Sequence, residues 1–196
     1  MKIIGITGQT GAGKSTVCQL LEKRGYYHID ADTVAREVVE NDADVLAALC
    51  EAFGKDIIKK DGTLSRPKLA ARAFRSRETA EKLDGICYPA VTREIIRIIR
   101  QKQRDGVDAI LIDAIGLFES GADKLCDFTV SVTAPRSERL KRIMKRDSLT
   151  REAAEKRIDA QKDASYYSER ANYMLTNDSL SSLERKITEI LKNEQG

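Results

Sequence analysis

A glycine-rich segment near the start of the chain carries residue types that bind phosphate groups. Residues 5–16 read GITGQTGAGKST and fit the spacing G-x-x-x-x-G-K-[ST] at Gly8, Gly13, Lys14 and Ser15. Such a loop turns backbone amides toward phosphate oxygens, and the positive end of the following helix adds to the attraction. We predict that Lys14 contacts the β- and γ-phosphates of a nucleotide and that Ser15 binds Mg²⁺. The alternative is a strand–helix turn that merely needs glycine.

Carboxylates follow two of the predicted strands, where open parallel sheets collect their ligands. Asp30 and Asp32 come after the short run YYHI, and Asp113 comes after AILI. A carboxylate that orients an acceptor hydroxyl and takes its proton would assist phosphoryl transfer. Either Asp30 or Asp32 could do this, or could instead cap the next helix. Asp113 ends a Walker-B-like element that would support Mg²⁺, and the alternative is an ordinary turn aspartate.

An arginine-rich segment follows Pro135 and reads RSERLKRIMKRDSLTREAAEKR. Arg139, Arg142 and Arg146 lie three and four residues apart, which predicts one shared helix face. Arginines that close over a transferring phosphoryl group neutralise its charge, because the planar guanidinium binds two phosphate oxygens at once. A solvated surface and a nucleic-acid patch are the alternatives. The segment lacks the interleaved aromatic residues that are typical of the latter.

Alternating strands and helices must position these residues. The runs KIIGIT, YYHI, AILI, FTVSV and residues 173–175 predict parallel strands, and a helix is expected from Lys14 to about Arg24. Helical spacing dominates residues 33–104, interrupted by the turn KKDGTLSR with Asp61 and Gly62 at its tip. A last amphipathic helix is expected around Leu183–Leu191. This order predicts an α/β protein whose parallel sheet is flanked by helices.

The long helical stretch exceeds a single crossover, so we predict a segmented organisation. The nucleotide-binding core would comprise residues 1–32, 105–135 and 171–196. Residues 33–104 would form a helical acceptor-binding insertion, and residues 136–170 a small helical lid.

Composition limits the remaining functions. The 196 residues carry a net charge of +3, from 34 basic and 31 acidic side chains, which does not favour nucleic acid as a partner. No apolar run is long enough to cross a membrane, and the first residues lack a signal-peptide layout, so a cytoplasmic location is expected. The four scattered cysteines indicate reduced thiols. Because His28 is the single histidine, a zinc site is not expected.

Taken together, these residues resemble the dephospho-CoA kinase family. GITGQTGAGKSTV resembles the family's opening, IDADTVAREVV its second strand and following helix, KRIMKRDSLTREAAEKRIDAQ its lid, and SERANYMLTNDSLSSL its closing segment. The likeness covers nearly the whole chain and implies a P-loop NTPase-type fold. It also implies ATP-dependent phosphorylation of the ribose 3′-hydroxyl of dephospho-CoA. The partners would be ATP, dephospho-CoA and Mg²⁺, with neither nucleic acid nor a membrane involved.

The resemblance also implies roles for individual residues. Asp32 would be the base, with Asp30 beside it as a helper or cap, and Lys14, Arg139 and Arg142 would complete the catalytic set. The nucleotide would be bound by Gly11, Ala12, Gly13, Lys14, Ser15, Thr16, Arg146 and Asn177. The acceptor would be bound by Asp30, Asp32 and Tyr88, and Mg²⁺ by Ser15 and Asp113.

Two departures from the family pattern bear on the site. Tyr88-Pro89 stands where the family usually has His-Pro, and a tyrosine donates a hydrogen bond but carries no charge near neutral pH. Asp113 is followed by Ala-Ile-Gly, where the family tends to have a Pro-Leu pair before its LFE segment. Either difference could lower activity or alter the acceptor.

Two other functions remain open from the residues. A kinase for a nucleoside or nucleotide would share the phosphate loop and lid, although IDAD and the long insertion argue against it. A regulatory GTPase would use the D-x-x-G pattern found in DAIG at residues 113–116. The guanine-reading N-K-x-D pattern is absent from the sequence, however, and TNDS lacks its lysine.

Overall fold

The computed structural model describes residues 1–194. The strands are β1 (Lys2–Gly8), β2 (Tyr27–Asp30), β3 (Ala109–Asp113), β4 (Phe128–Thr133) and β5 (Tyr173–Thr176). The α-helices are α1 (Lys14–Glu22), α2 (Ala31–Asn41), α3 (Ala43–Phe53), α4 (Arg66–Ala73), α5 (Arg77–Arg104), α6 (Arg136–Asp147), α7 (Arg151–Asp159), α8 (Ala164–Ser168) and α9 (Leu180–Asn193). No helix of this described part is both long and apolar enough to cross a bilayer.

The chain divides into two units. The first, here called the core unit, contains Met1–Ile29 and the chain from Gly106 onward; the second, the helical unit, contains Asp30–Asp105. The sequence predicts an insertion at residues 33–104, within the span of the helical unit. The predicted lid, residues 136–170, falls in the core unit, where it forms α6, α7 and α8. Two roles remain predictions: acceptor binding by residues 33–104 and lid movement by residues 136–170.

A five-stranded sheet in the order β2-β3-β1-β4-β5 is the centre of the α/β fold. The pairs β1–β3, β1–β4 and β4–β5 are parallel, which confirms the predicted fold class. Ile110, Leu111 and Ile112 of β3 are fully buried, as a parallel strand covered on both faces requires. The register pairs Ile6 with Asp113, so this aspartate lies beside the end of β1, just before the glycine-rich loop.

Helices α1 and α9 bury their apolar faces in the main core of this unit. Val17 and Leu21 of α1 cluster there with Leu183 and Ile187 of α9 and with residues of the sheet. Their spacings of four residues put each pair on one helix face. Helices α6 and α7 have a small apolar core of their own around Ile143. The predicted amphipathic helices are therefore confirmed, although α1 ends at Glu22.

The helical unit consists of α2 to α5. Leu49, Ile57 and Ile95 are almost fully buried and provide the large side chains of its interior. The predicted turn lies between Ile58 and Leu64, which form an antiparallel bridge. Local signals set the helix starts, because aspartates cap both α2 and α3 through backbone amides.

Candidate active site

The loop between β1 and α1 has the backbone geometry of a phosphate cradle. Gly13 adopts φ 101° directly before α1, and a Cβ there would lie 2.0 Å from Nδ2 of Asn177, so only glycine fits. Within the described chain, the start of α1 has neither a side-chain cap nor an acidic residue in its first turn. Because the first amides of a helix have no partner within it, those of Lys14 and Ser15 are left for an anion. This geometry supports the predicted phosphate site.

Lys14 and Asp113 meet beside this loop. Nζ of Lys14 lies 3.7 Å from Oδ1 of Asp113, and the two side chains are only 14% and 17% exposed. Among the described residues, that carboxylate oxygen has no hydrogen-bond partner. Ser15 follows Lys14 in the first turn of α1. Hydroxyl and carboxylate oxygens are the donors that Mg²⁺ prefers, so Ser15 and Asp113 suit the metal that the family resemblance implies.

Two of the predicted site residues hold the loop by its carbonyl groups. Asn177 donates from Nδ2 to the carbonyl of Ala12 at 2.8 Å. Arg142 donates from Nη1 to the carbonyls of Gly11, at 3.3 Å, and Ala12, at 3.1 Å. These bonds fix the conformation of the segment whose amides a phosphate would use. Whether either residue also contacts the nucleotide remains a prediction.

Arg139 is buried against the same loop. It is 4% exposed and donates to the carbonyl of Thr10 at 3.0 Å and to Oε1 of Gln9 at 2.6 Å. A third bond, at 3.4 Å, goes to Oε1 of Gln161, which also accepts from the amide of Thr10. Burial, together with the positive charge of Arg136, lowers the pKa of Arg139. All three acceptors of this guanidinium are neutral oxygens. Without Arg139, these buried oxygens would lose a hydrogen-bond donor.

Arg146 has a different environment from the other two arginines of α6. It is exposed and pairs with the carboxylate of Asp147 at 2.8 Å, and Asp147 also binds Arg157. The spacing of the arginines predicts a shared face, but Arg139 lies on the buried side of α6 with Ile143. The backbone spacing does not determine these environments, because α6 packs beside the loop from a distant part of the chain.

We expect Arg139→Leu to lower the free energy of unfolding by about 1–3 kcal/mol, because it leaves buried oxygens without a donor. Arg146→Leu is the matched control, since an exposed ion pair contributes about 1 kcal/mol or less. Denaturant unfolding of both variants and the wild type measures the difference. Equal losses of stability in the two variants would contradict a buttressing role for Arg139.

Asp30 and Asp32 have different surroundings at the start of α2. Oδ1 of Asp30 accepts from the amides of Asp32 and Thr33 at 3.0 and 3.2 Å, so Asp30 is the helix cap. Its Oδ2 accepts from the hydroxyl of Thr33 at 2.9 Å. Asp32 is the second residue of α2 and lines a cavity of the helical unit. Of the two roles considered for this pair, capping thus belongs to Asp30.

The cavity next to Asp32 has a volume of about 390 Å³. Its lining is mostly apolar and is formed by Asp32, Ala35, Arg36, Val39, Leu64, Arg66, Leu69, Ala70, Phe74, Leu83 and Cys87. Phe74 is 71% exposed, which is unusual for a large aromatic side chain. Burial raises the pKa of the Cys87 thiol to about 11, so this thiol is neutral. Tyr88 is the next residue along α5 and is half-buried; that it binds the acceptor remains a prediction.

Sequence reasoning missed two groups of residues around the loop. The first is the pair Gln9 and Gln161, which links the loop to the segment after α7 through Arg139. The second is Cys18 and His28, which lie beside Asp113. Burial raises the pKa of the Cys18 thiol, and the neighbouring Asp113 carboxylate raises it further. No local motif marks either group, because their members come together only in the folded sheet.

Comparison with known proteins identifies one family over most of the chain. The family model described as dephospho-CoA kinase matches residues 2–182. The chain is 41% identical over 158 residues to the dephospho-CoA kinase of Corynebacterium glutamicum, covering 81% of this chain and 79% of that one. It is 38% identical over 191 residues to that of Listeria innocua, covering 97% and 94%. The crystal structure of the Thermus thermophilus protein TT1252 superposes with a TM-score of 0.81 at 32% identity, covering 100% and 98%.

Proposed function

The chain belongs to the dephospho-CoA kinase family, and we propose that it transfers the γ-phosphoryl group of ATP to the ribose 3′-hydroxyl of dephospho-CoA. The products are coenzyme A and ADP, which makes this the last step of coenzyme A synthesis. The observation that carries the proposal is the uncapped start of α1, with Lys14 held 3.7 Å from Asp113. This arrangement supplies amides, a cation and hard oxygen donors at one place, as a nucleoside triphosphate requires.

The nucleotide is bound by its phosphates at the loop. Backbone amides of the loop and of the start of α1, among them those of Gly13, Lys14 and Ser15, bind phosphate oxygens, and Lys14 neutralises charge on the β- and γ-phosphates. Ser15 and Asp113 would hold Mg²⁺, which, when bound, neutralises further phosphate charge. Arg142 and Asn177 keep the loop in shape through the carbonyl groups of Gly11 and Ala12. Because the loop already has its bound conformation, little conformational entropy is lost when the nucleotide binds.

The acceptor is bound by the cavity of the helical unit. Dephospho-CoA combines an adenosine group, an anionic diphosphate and a long arm in which methyl and methylene groups alternate with amides. The apolar part of the lining suits the methyl and methylene groups of the arm, and Arg36 and Arg66 supply positive charge for the diphosphate at the same cavity. Phe74 offers an exposed ring on which a base can stack. Asp32, on the lining of this cavity, is the carboxylate that receives the acceptor hydroxyl.

Phosphoryl transfer then needs alignment, charge stabilisation and one proton acceptor. The bond between the γ-phosphorus and the β,γ-bridging oxygen breaks, and a bond from the ribose 3′-oxygen forms. The hydroxyl proton passes to Asp32, and Lys14 stabilises the charge that remains on the phosphates. Because the transition state is loose, a carboxylate of ordinary basicity is sufficient.

Product identification tests this proposal. The protein is incubated with Mg-ATP and dephospho-CoA, and the 3′-phosphorylated product is identified by mass spectrometry and phosphorus NMR. Parallel reactions contain nucleosides or nucleoside monophosphates as acceptors, or GTP as the only nucleotide. We expect efficient turnover only with dephospho-CoA. Preferred phosphorylation of another acceptor would replace the proposal with a different kinase, and tight GTP binding without any acceptor would favour a switch protein.

A cytoplasmic location is part of this proposal, because ATP and the acceptor are small metabolites of that compartment. The comparison of ATP with GTP as phosphoryl donor in the same assay measures nucleotide preference. We expect ATP to be preferred.

A further inference from the structure

Three side chains with metal-binding atoms meet below the phosphate loop. Cys18 comes from α1, His28 from β2 and Asp113 from the end of β3, and their donor atoms all lie within 4.8 Å of one another. Nε2 of His28 is 3.9 Å from Oδ2 of Asp113. Cys18 is almost completely buried, whereas the side chains of His28 and Asp113 are 24% and 17% exposed. The group is thus largely shielded from solvent, with part of the His28 and Asp113 side chains exposed.

The hydrogen bonding of His28 prepares Nε2 to act as a ligand. Its Nδ1 lies 2.8 Å from Oε1 of Glu22, and an ionised carboxylate can only accept, so the neutral ring carries its hydrogen on Nδ1. Nε2 then presents a lone pair, and it has no hydrogen-bond partner among residues 1–194. A carboxylate that orients a histidine in this way is typical of metal sites.

His28 and Asp113 face each other within this group. Nε2 lies 3.9 Å from Oδ2 of Asp113, and neither Nε2 nor Oδ1 of that carboxylate has a geometric hydrogen-bond partner in the described chain, although the Cys18 thiol and the Lys14 ammonium lie beside the carboxylate. A cation between the two groups would be bound by both of them. The donor set of sulfur, nitrogen and oxygen favours Zn²⁺ over Mg²⁺, because Mg²⁺ requires oxygen ligands.

We propose that Cys18, His28 and Asp113 form a Zn²⁺ site whose occupation inhibits the enzyme. Ligands bound to Zn²⁺ at about 2.0–2.3 Å lie roughly 3.3–3.7 Å apart at tetrahedral angles, so the observed group needs only a small contraction. Binding breaks the S–H bond of Cys18, forms a Zn–S bond and releases the proton to solvent. A water molecule completes the tetrahedron.

The proposed site differs from the expectation from the sequence, in which a zinc site was not expected because the chain has a single histidine. The sheet order places β2 beside β3 and β3 beside β1, and α1 returns from the loop that follows β1. Three residues that are 10 and 85 positions apart in the sequence thereby become neighbours. The spacing rules for zinc motifs describe local ligand pairs and do not detect such a set.

The inhibitory effect follows from the shared carboxylate. Asp113 pairs with Lys14 at 3.7 Å and is the proposed support of Mg²⁺. A zinc ion that occupies this carboxylate repels the Lys14 ammonium and removes an oxygen that the nucleotide complex needs. This consequence rests on the proposed function, whereas metal binding itself does not.

Cobalt titration of the full-length protein tests the site in the absence of nucleotide and acceptor. Co²⁺ is added under a non-thiol reductant, and we expect one equivalent to give tetrahedral d–d bands and a thiolate-to-cobalt charge-transfer band. Zn²⁺ should displace the cobalt and abolish both bands. Cys18→Ser should lose the charge-transfer band, and Cys87→Ser, the control at a half-buried cysteine outside this group, should keep it.

Variants of His28 and of its partner Glu22 test the same metal site if Cys18→Ser does not fold. We expect Glu22→Gln to weaken cobalt binding about 10–100-fold, the usual effect of losing a group that orients a metal-bound histidine. His28→Gln, at a partly exposed position, should weaken it at least as much. Circular dichroism of each variant checks folding. Unchanged binding in His28→Gln, or no stoichiometric binding in the wild type, would overturn the proposed site.

Kinase assays at buffered free Zn²⁺ test the inhibition separately. The wild type should lose turnover as Zn²⁺ rises, and His28→Gln should keep its turnover over the same range. Cobalt binding without inhibition of an active enzyme would overturn the regulatory part. If no form of the protein phosphorylates dephospho-CoA, the proposed function fails, while the spectroscopic result for the metal site still stands.

Discussion

Lys14→Ala is expected to fold and to lose phosphoryl transfer by about 10²–10³-fold, the usual scale for removing one preorganised group that stabilises transition-state charge. Lys14 stands at the uncapped start of α1, where it is 14% exposed. In a partly desolvated site a charge acts over a low effective dielectric, so its contribution exceeds that of a surface lysine. The helix amides remain in the variant, so nucleotide binding should weaken less than turnover.

Lys23→Ala is the matched control for this variant. Lys23 follows α1 directly and is exposed. Turnover, the dissociation constant of ATP and the free energy of unfolding are measured for both variants. Because Lys14 also pairs with Asp113, a modest loss of stability in Lys14→Ala is expected and does not account for a loss of turnover in protein that is still folded. Near-normal turnover in folded Lys14→Ala would remove this lysine from the reaction.

The sheet and the phosphate loop could be predicted because their signals are local and strong. A parallel strand that is buried on both faces reads as a continuous apolar run, as in β3. The loop requires glycine at a backbone position with positive φ, and Gly13 also lies too close to Asn177 to carry a side chain. Such constraints act through the backbone, so they leave a pattern in a single sequence.

The surroundings of the arginines in α6 could not be predicted in the same way. Helical spacing gives the direction of a side chain relative to its own helix, but not what lies in that direction. Arg139 meets the loop and Gln161, whereas Arg146 meets Asp147. A buried arginine bound to neutral oxygens has no sequence signature, because its partners are backbone carbonyls and amide side chains from distant segments.

The zinc-site proposal illustrates a second limit. Cys18, His28 and Asp113 each have an ordinary local explanation, and only the strand order makes them neighbours. The same order positions Asp113 for Lys14. Asp113 thus belongs both to the pair with Lys14 and to the proposed zinc site.

The two aspartates at the start of α2 are distinguished by a comparison of their asparagine variants. We expect Asp32→Asn to lower turnover by about 10²–10⁴-fold, the scale for losing a general base, with little change in ATP binding. Asp30→Asn should be much milder. Its amide oxygen still accepts the two backbone hydrogen bonds of the cap, and asparagine caps a helix about as well as aspartate.

The comparison of Asp32→Asn with Asp30→Asn separates the loss of a general base from the loss of a favourable charge at the start of α2. Each substitution removes one negative charge near the start of α2, which costs about 0.3–1 kcal/mol through the helix dipole. An effect of that size changes a rate by at most a few-fold, so it cannot produce the loss expected for Asp32→Asn. Steady-state turnover, ATP binding and unfolding are measured for both variants and the wild type. If Asp32→Asn keeps most of its turnover while Asp30→Asn abolishes it, the base is Asp30, and the cavity lined by Asp32 has a role other than receiving the reacting hydroxyl.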